Sequence, residues 1–478
     1  MRRLLLFAIL VAITFARAAT AGASVYIASL LSPAGFADVK AYSISSGRIG
    51  GYVAGPTAPG GHAAIFVDSP TGFVDLNPAA HESTTVSALT GTSEVGYGYP
   101  FGGLPHALLW RGTAESVVDL HPTGFNFSWA NGASEGSQVG VGQWNIDGNF
   151  RALLWNGTAQ SVVQLHPPQH FSSSAHGASD STQVGEVQTS TGTHAALWRG
   201  TSASFVDLHP RGSFESIAFG ATETHQVGYS WTDTVRAVLW SGTAASMVDL
   251  HPSGYVDSEA RGIGGEYQVG QATVDEIFAR HAFVWRGTAA SGIDLHDALI
   301  NLDDGFVESY ARDVDVNGDV VGFAYHANGS YHAVKWSLTP TGDTNIDGVV
   351  DTIDLNNVRN NFGATGLGDT NDDGVVDIVD LNNVRNNFGA TLGAQPVPEP
   401  SALALLAIAT AGLCFKMPRA RWARSPERAT RPTAGLLLSR LPRALEIGRA
   451  FPHNQTRDKY TKGRRALQPL WGETLVGN

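Results

Sequence analysis

Between residues 24 and 340 hydrophobic and polar positions alternate in short runs, with Gly, Ser, Thr and Asp gathered between them. Alternation of period two over so few residues is the pattern of half-buried β-strands. One apolar run ends in the string H/R-A-x-x-W, at His106–Trp110, Arg151–Trp155, His194–Trp198, Arg236–Trp240, His281–Trp285 and His332–Trp336, with a diverged copy at His62–Phe66. Successive copies lie 44, 45, 43, 42, 45 and 51 residues apart. Most are followed by G-T-A-x-S-x-V-D-L-H-P, as from Gly112 to Pro122 and from Gly242 to Pro252. A Val/Ile-Gly step precedes each, from Ile49-Gly50 and Val95-Gly96 to Val321-Gly322, and a segment such as Ala130-Asn131-Gly132-Ala133 comes about ten residues earlier. Four strands in such a period predict one blade of a β-propeller. The chain is therefore expected to be mainly β, with a seven-bladed propeller of four-stranded blades over residues 24–340. The last unit lacks its V-D-L-H-P strand, whereas Ile27–Phe36 near the N-terminus resembles Val248–Tyr255. That spare segment is expected to complete the last blade and leave no open sheet edge. An open β-solenoid is the alternative, and it has no use for the spare segment.

These H-A-x-x-W units resemble the HAF-type extracellular repeats of secreted bacterial proteins, a likeness that implies architecture and location more than activity. Sixteen histidines suggest catalysis at first sight. Most of them recur once per unit, either opening the third strand (His106, His194, His281, His332) or preceding a proline (His121, His166, His209, His251). A catalytic group is needed once, so these histidines and the recurrent Asp75, Asp119, Asp207, Asp249 and Asp294 are expected to hydrogen-bond within each blade. The recurrent tryptophans are expected to pack between blades. Asp313 to Asp319 begins like a calcium loop but has Val321 and Ala324 where later ligands should fall, so a plain inter-strand turn is expected.

Residues 341–391 carry a different pattern and are expected to form a small α-helical domain of paired calcium loops. Asp343, Asn345, Asp347, Asp351 and Asp354 place side-chain oxygens at positions 1, 3, 5, 9 and 12 of a loop, with Gly348 at the sharp turn and the Val349 carbonyl at position 7. Asp369, Asn371, Asp373, Val375, Asp377 and Asp380 repeat this 26 residues later. Six to eight hard oxygens in this spacing suit Ca²⁺, so two calcium ions are expected. Each loop runs into L-N-N-V-R-N-N-F-G, predicting a helix with the apolar stripes Leu355, Val358, Phe362 and Leu381, Val384, Phe388, stopped by Gly363 and Gly389. The duplicated unit resembles a type I dockerin. The resemblance implies a cohesin-like or other envelope protein as partner, met through Thr352, Ile353, Ile378 and Val379, which depart from the usual Ser-Thr pair.

Two end segments point to export. Met1–Ala23 reads as a signal peptide, with Arg2 and Arg3 before the apolar run Leu4–Phe15 and small-residue sites at Ala19–Ala23. Residues 392–424 hold Pro398-Glu399-Pro400, an apolar run from Ala402 to Phe415 expected to be helical, and then Lys416, Arg419, Arg421 and Arg424. That order resembles the PEP-CTERM sorting signal, which implies reading of Pro398, Glu399 and Pro400 by an exosortase-type enzyme and transient anchoring in the membrane. Residues 425–478 form a basic tail expected to be disordered. It reads as translation beyond the natural end or a frame error more readily than as a tail lying on the membrane.

Composition narrows the function. Of 478 residues 43% are hydrophobic and only 15% charged, 55 are Gly, and the formal net charge is −12. The single Cys414 excludes an intramolecular disulfide framework. Residues 416–478 carry +10, so the first 415 carry −22, and no nucleic-acid partner is expected of so acidic a surface. The expectation is an exported, cell-surface or extracellular binding or scaffold protein without catalysis, with a polysaccharide as a further partner. The rival is a carbohydrate-active hydrolase or lyase, which would need two opposed carboxylates that do not recur from blade to blade.

Overall fold

The computed structural model describes residues 26–391, apart from 67–71, 275–277, 301, 304, 346 and 371–373. The chain divides into units 1–397 and 398–478, and the second lies outside the described residues. The signal peptide, the sorting motif Pro398-Glu399-Pro400, its apolar run and the basic tail lie outside them too. Among the described residues no helix is long and apolar enough to cross a membrane.

The fold is mainly β and propeller-like. Five antiparallel four-stranded sheets follow one another, the first made by His81–Leu89, Glu94–Pro100, His106–Trp110 and Val118–Asp119. The others span residues 125–164, 172–207, 215–249 and 255–294 on the same plan. An eight-stranded sheet holds the two ends of the repeat region. Its halves are Asp38–Ser45, Arg48–Gly55, Ala58–Phe66, Phe73–Asp75, and Phe306–Val314, Val320–His326, Tyr331–Leu338, Tyr26–Leu30. A single parallel pairing, Asp38 with Tyr331, joins the halves. The N-terminal strand Tyr26–Leu30 pairs antiparallel with Tyr331–Leu338, in the place the last unit leaves open. Leu31 N–H then donates to the Ala333 carbonyl at 2.9 Å, as Leu120 does to Ala107 in the His81–Asp119 sheet.

Each repeated motif has a local physical cause. G-T-A-x-S forms a 3₁₀ turn at Ala114–Ser116, where Ser116 Oγ accepts from Arg111 N–H at 2.8 Å and donates to the Thr113 carbonyl at 2.6 Å. Gly112 precedes that turn at φ +82°, a conformation glycine adopts without steric cost. The Val-Gly step belongs to the second strand and faces a β-bulge in the innermost one. A Cβ on Gly140 would lie 1.9 Å from the Trp129 carbonyl oxygen, and one on Gly185 2.0 Å from that of Ser174. In the first unit the glycine in this register is Gly51, opposite Ala41, one residue after the expected Ile49-Gly50 step.

The marker tryptophans fill the spaces between sheets. Trp110, Trp155, Trp198, Trp240, Trp285 and Trp336 are all fully buried. Trp155, for example, packs with Val95, Ala107, Leu109 and Leu120 of the preceding sheet. Phe66 takes this role in the first unit.

Helix α1 (Asp297–Ile300) occupies the stretch that lengthens the last spacing. Helices α2 (Thr352–Asn360) and α3 (Ile378–Asn386) follow the two Asp-rich loops. Val358 and Val384 are fully buried, with Leu355 and Leu381 packed beside them. The predicted stripes are wrong at their ends, because Phe362 and Phe388 are more than half exposed. Each helix stops before its Phe, at a cap on Asn361 or Asn387, so the glycines lie beyond the helix end rather than at it. Val350 and Val376 from the loops complete the core instead. Gly363 N–H donates to the Val376 carbonyl and Gly389 N–H to that of Val350, both at 2.7 Å, so each half closes on the other's loop.

Candidate functional site

The recurrent histidines build a hydrogen-bond relay. His106 Nδ1 meets the Asp119 carboxylate at 2.8 Å, and the same carboxylate accepts from His121 N–H. His62 with Asp75, His194 with Asp207 and His281 with Asp294 repeat the first contact, and Arg236 replaces His toward Asp249. These bonds stay within one sheet, as expected. The histidines before proline do not. His121 Nδ1 bonds Ser128 Oγ at 2.9 Å, and Ser128 belongs to the innermost strand of the next sheet. Ser128 Oγ also accepts from Ala107 N–H at 3.0 Å, so one hydroxyl ties His121 to the third strand of its own sheet. His166, His209, His251 and His296 make the same bond, and Asn77 with Thr84 does so in the first unit.

Burial, and then the neighbouring cation or imidazole, lowers the pKa of all five histidines, His166 and His296 to about 4. A base whose folded pKa is depressed contributes stability above its unfolded value near 6.5, and that stability is lost as pH falls toward 4. The melting temperature is therefore expected to drop between pH 6.5 and 4.5. Changing the five to Asn, the residue used at position 77, should flatten that drop; an unchanged profile would rule out this source of acid sensitivity.

Because the relay recurs, it serves the scaffold. The innermost strands also hold positions that do not recur. Seven such strands, from Asp38–Ser45 to Phe306–Val314, line one cavity of about 850 Å³, and each touches the next around it. At the bulge stands Tyr42, Ser87 or Asn131 on the first three, His176 or Phe219 on the next two, and Arg261 or Arg312 on the last two. All seven line the cavity. They escaped the sequence reading, although the signal was present as the one variable place in segments such as Ala130-Asn131-Gly132-Ala133.

Several of these side chains stack. Arg261 lies 4.0 Å from the Phe219 ring centre, and the rings of His176 and Phe219 are 5.5 Å apart. Arg312 lies 4.9 Å from the Phe323 ring centre, and Phe323 also meets Tyr42 edge-on. Asp313 turns away to the seam between the two halves of the largest sheet. It accepts from Ser43 Oγ at 2.7 Å and Ile44 N–H at 3.0 Å, and burial pushes its pKa up to about 6. Asp315 accepts from Asn317 N–H and Asp319 N–H, giving the expected inter-strand turn.

In the Asp-rich loops, Asp343 accepts from Asp347 N–H and Gly348 N–H, and Asn345 Nδ2 donates to Asp347. Val349 pairs in an isolated bridge with Thr391. Asp351 caps α2 by accepting from Ile353 N–H. Asp354 is fully buried and accepts from Thr344 N–H and Oγ1, Asn345 N–H and Asp351 N–H. Asp369, Asp377 and Asp380 repeat these roles with Gly374, Val379, Thr370 and Asp377 N–H groups. Asn371 and Asp373 lie outside the described residues, while Val375 is exposed. Thr352, Ile353, Ile378 and Val379 are all exposed on the first turns of the helices. Among the described residues no three carboxylates or imidazoles stand together at metal-holding distance. Two features nevertheless suit a cation. Among the described residues Asp369 Oδ1 is buried without a partner, and burial together with the charges of Asp354 and Asp347 raises the pKa of Asp343.

No family model matches this chain, and no curated protein matches it. Solved structures do. A study of two prolyl endopeptidases gives 10% identity and a TM-score of 0.41, over 65% of this chain and 51% of that one. A puromycin hydrolase S511A mutant complexed with PGG gives 13% and 0.43, over 63% and 51%. An oligogalacturonate lyase in complex with manganese gives 8% and 0.35, over 61% and 86%. The chain thus spans about half the length of the peptidases it matches. The likeness is one of fold, and the peptidase activity named for several of the matching structures belongs to those proteins. The expectation of a propeller without catalysis does not stand, because its ground was repetition. Repetition disqualifies only side chains that recur in every sheet. The channel ring does not recur, so periodicity gives no ground for excluding chemistry there.

Proposed function

We propose that this chain is an exported, surface-displayed or extracellular binding protein, in which a seven-bladed propeller offers its channel to a ligand and a calcium-dependent module docks to an envelope partner. The blade count is supported by the closed succession of innermost strands around one cavity and by the pairing of Tyr26–Leu30 with Tyr331–Leu338. The docking reading is carried by the duplicated loops, each folding backbone N–H groups around a buried carboxylate, Asp354 or Asp380. Asp343, Asn345, Asp347, Asp351, Asp354 and the Val349 carbonyl would hold one Ca²⁺, and Asp369, Asn371, Asp373, Asp377, Asp380 and the Val375 carbonyl the other. Bound calcium supplies the positive charge that offsets the clustered carboxylates. The exposed Thr352 and Ile353 on one helix, and Ile378 and Val379 on the other, offer a cohesin-like partner two equivalent faces. Pro398-Glu399-Pro400 would address the chain to an exosortase-type enzyme, and a polysaccharide matrix fits that setting.

Calorimetric titration of the full chain with CaCl₂ tests the docking module. Two equivalents of Ca²⁺ are expected to bind, and Asp343→Ala and Asp369→Ala should each remove one. No calcium binding to the native chain would refute the reading.

A further inference from the structure

Among the described residues Arg312 is a guanidinium with no ion-pair partner. It stacks on Phe323 and Tyr310, yet among the described residues it makes no ion pair and no hydrogen bond, and its Nε is buried without a partner. The adjacent Asp313 cannot serve, because its carboxylate is taken by Ser43, Ile44 and Val314. Arg261, one innermost strand earlier, is paired with Glu259, but among the described residues its own Nε is buried and unpartnered. Burial and then the nearby charge of Arg261 push the pKa of Arg312 down to about 10, so it remains a cation at neutral pH. Arg312 is partly buried, and the carboxylate acting on it, Glu259, is already paired with Arg261. A desolvated cation with no ion pair of its own is costly, and a bound anion would offset that cost.

We propose that Arg312, aided by Arg261, binds the carboxylate of a small polar ligand in the propeller channel. A planar guanidinium matches a carboxylate with two parallel hydrogen bonds, and stacking on Phe323 holds its plane. The cavity of about 850 Å³ admits a molecule of disaccharide or tripeptide size, and Ser87 and Asn131 add neutral polar groups to its wall. Asp180, Glu223 and Asp315 also line it, toward the ends of their innermost strands. Those acids disfavour a polyanionic chain and select a ligand with a single carboxylate. A sugar acid and a peptide C-terminus share that chemistry. The inference is independent of the calcium reading, since the paired loops contribute nothing to the channel.

Isothermal titration of the full chain with glucuronate, glycylglycine, glucose and polygalacturonate separates the sources. Saturable one-to-one binding of glucuronate or glycylglycine is expected, with glucose and polygalacturonate at least tenfold weaker. Arg312→Gln should weaken the carboxylate ligand at least tenfold, while Arg211→Ala, an exposed turn position, should leave it unchanged. If Arg312→Gln does not fold, the native chain still decides: the bound carboxylate should protect Arg312 from phenylglyoxal, read by mass spectrometry. Absence of saturable carboxylate binding, equal binding of glucose, or unprotected Arg312 would each overturn the proposal.

Discussion

Replacing Trp198 with alanine is expected to destabilise the propeller by about 3–5 kcal/mol, the usual cost of emptying a large buried aromatic site. Trp198 is fully buried between two sheets, against Val139, Ala152, Leu154 and Leu165 on one side and Ala175, Val187 and Ala196 on the other. Both faces are strands held by their own ladders, so neither can move far to fill the cavity. Trp198→Phe should cost much less, about 1–2 kcal/mol, because volume is largely kept. The indole Nε1 has no hydrogen-bond partner to lose, and Phe66 occupies the same place in the first unit. Trp231→Ala, at a position 44% exposed, should stay within about 0.5 kcal/mol of the native chain. Urea denaturation followed by tryptophan fluorescence measures all three. A Trp198→Ala chain as stable as Trp231→Ala would refute the packing role.

Asp354→Ala should release helix α2 and abolish calcium binding by the first loop together. The carboxylate gathers two donors from Thr344 and the backbone N–H groups of Asn345 and Asp351. Its removal leaves these donors without acceptors in a small module, at a cost of about 1–3 kcal/mol for each one that stays buried. The Asp351–Asp354 capping box is lost as well, and with it the start of the helix. Amide exchange across Thr352–Asn360 is expected to accelerate at least tenfold, with the innermost propeller strands unaffected. Asp380→Ala should do the same to Ile378–Asn386. Equal exchange in variant and native chains would show that the buried carboxylate does not organise its loop.

Much of this was legible in the residues. The H-A-x-x-W and D-L-H-P strings marked strands, a turn and an inter-sheet tryptophan, because each depends on neighbours only a few positions away. The N-terminal Leu31-Ser32-Pro33 could be matched to Leu250-His251-Pro252 for the same reason. The partner of His121 could not be foreseen. Ser128 is only seven residues away but lies on the next sheet, and nothing in an alternating pattern says that the bond leaves the sheet. Phe362 and Phe388 misled the helix reading because periodicity assumes that a helix continues, whereas the caps at Asn361 and Asn387 end it first.

The sequence by itself determined the repeating unit, the residues that build each sheet and the spacing of acids in the two loops, all consequences of local geometry and period. Only the tertiary structure decided which side chains meet at the axis. Tyr42, Asn131, His176, Arg261 and Arg312 are scattered over 270 positions, and each is an unremarkable residue in its own strand. A bulge in every innermost strand brings them to one cavity, where Arg312, with no ion pair among the described residues, acquires a meaning it lacks along the chain.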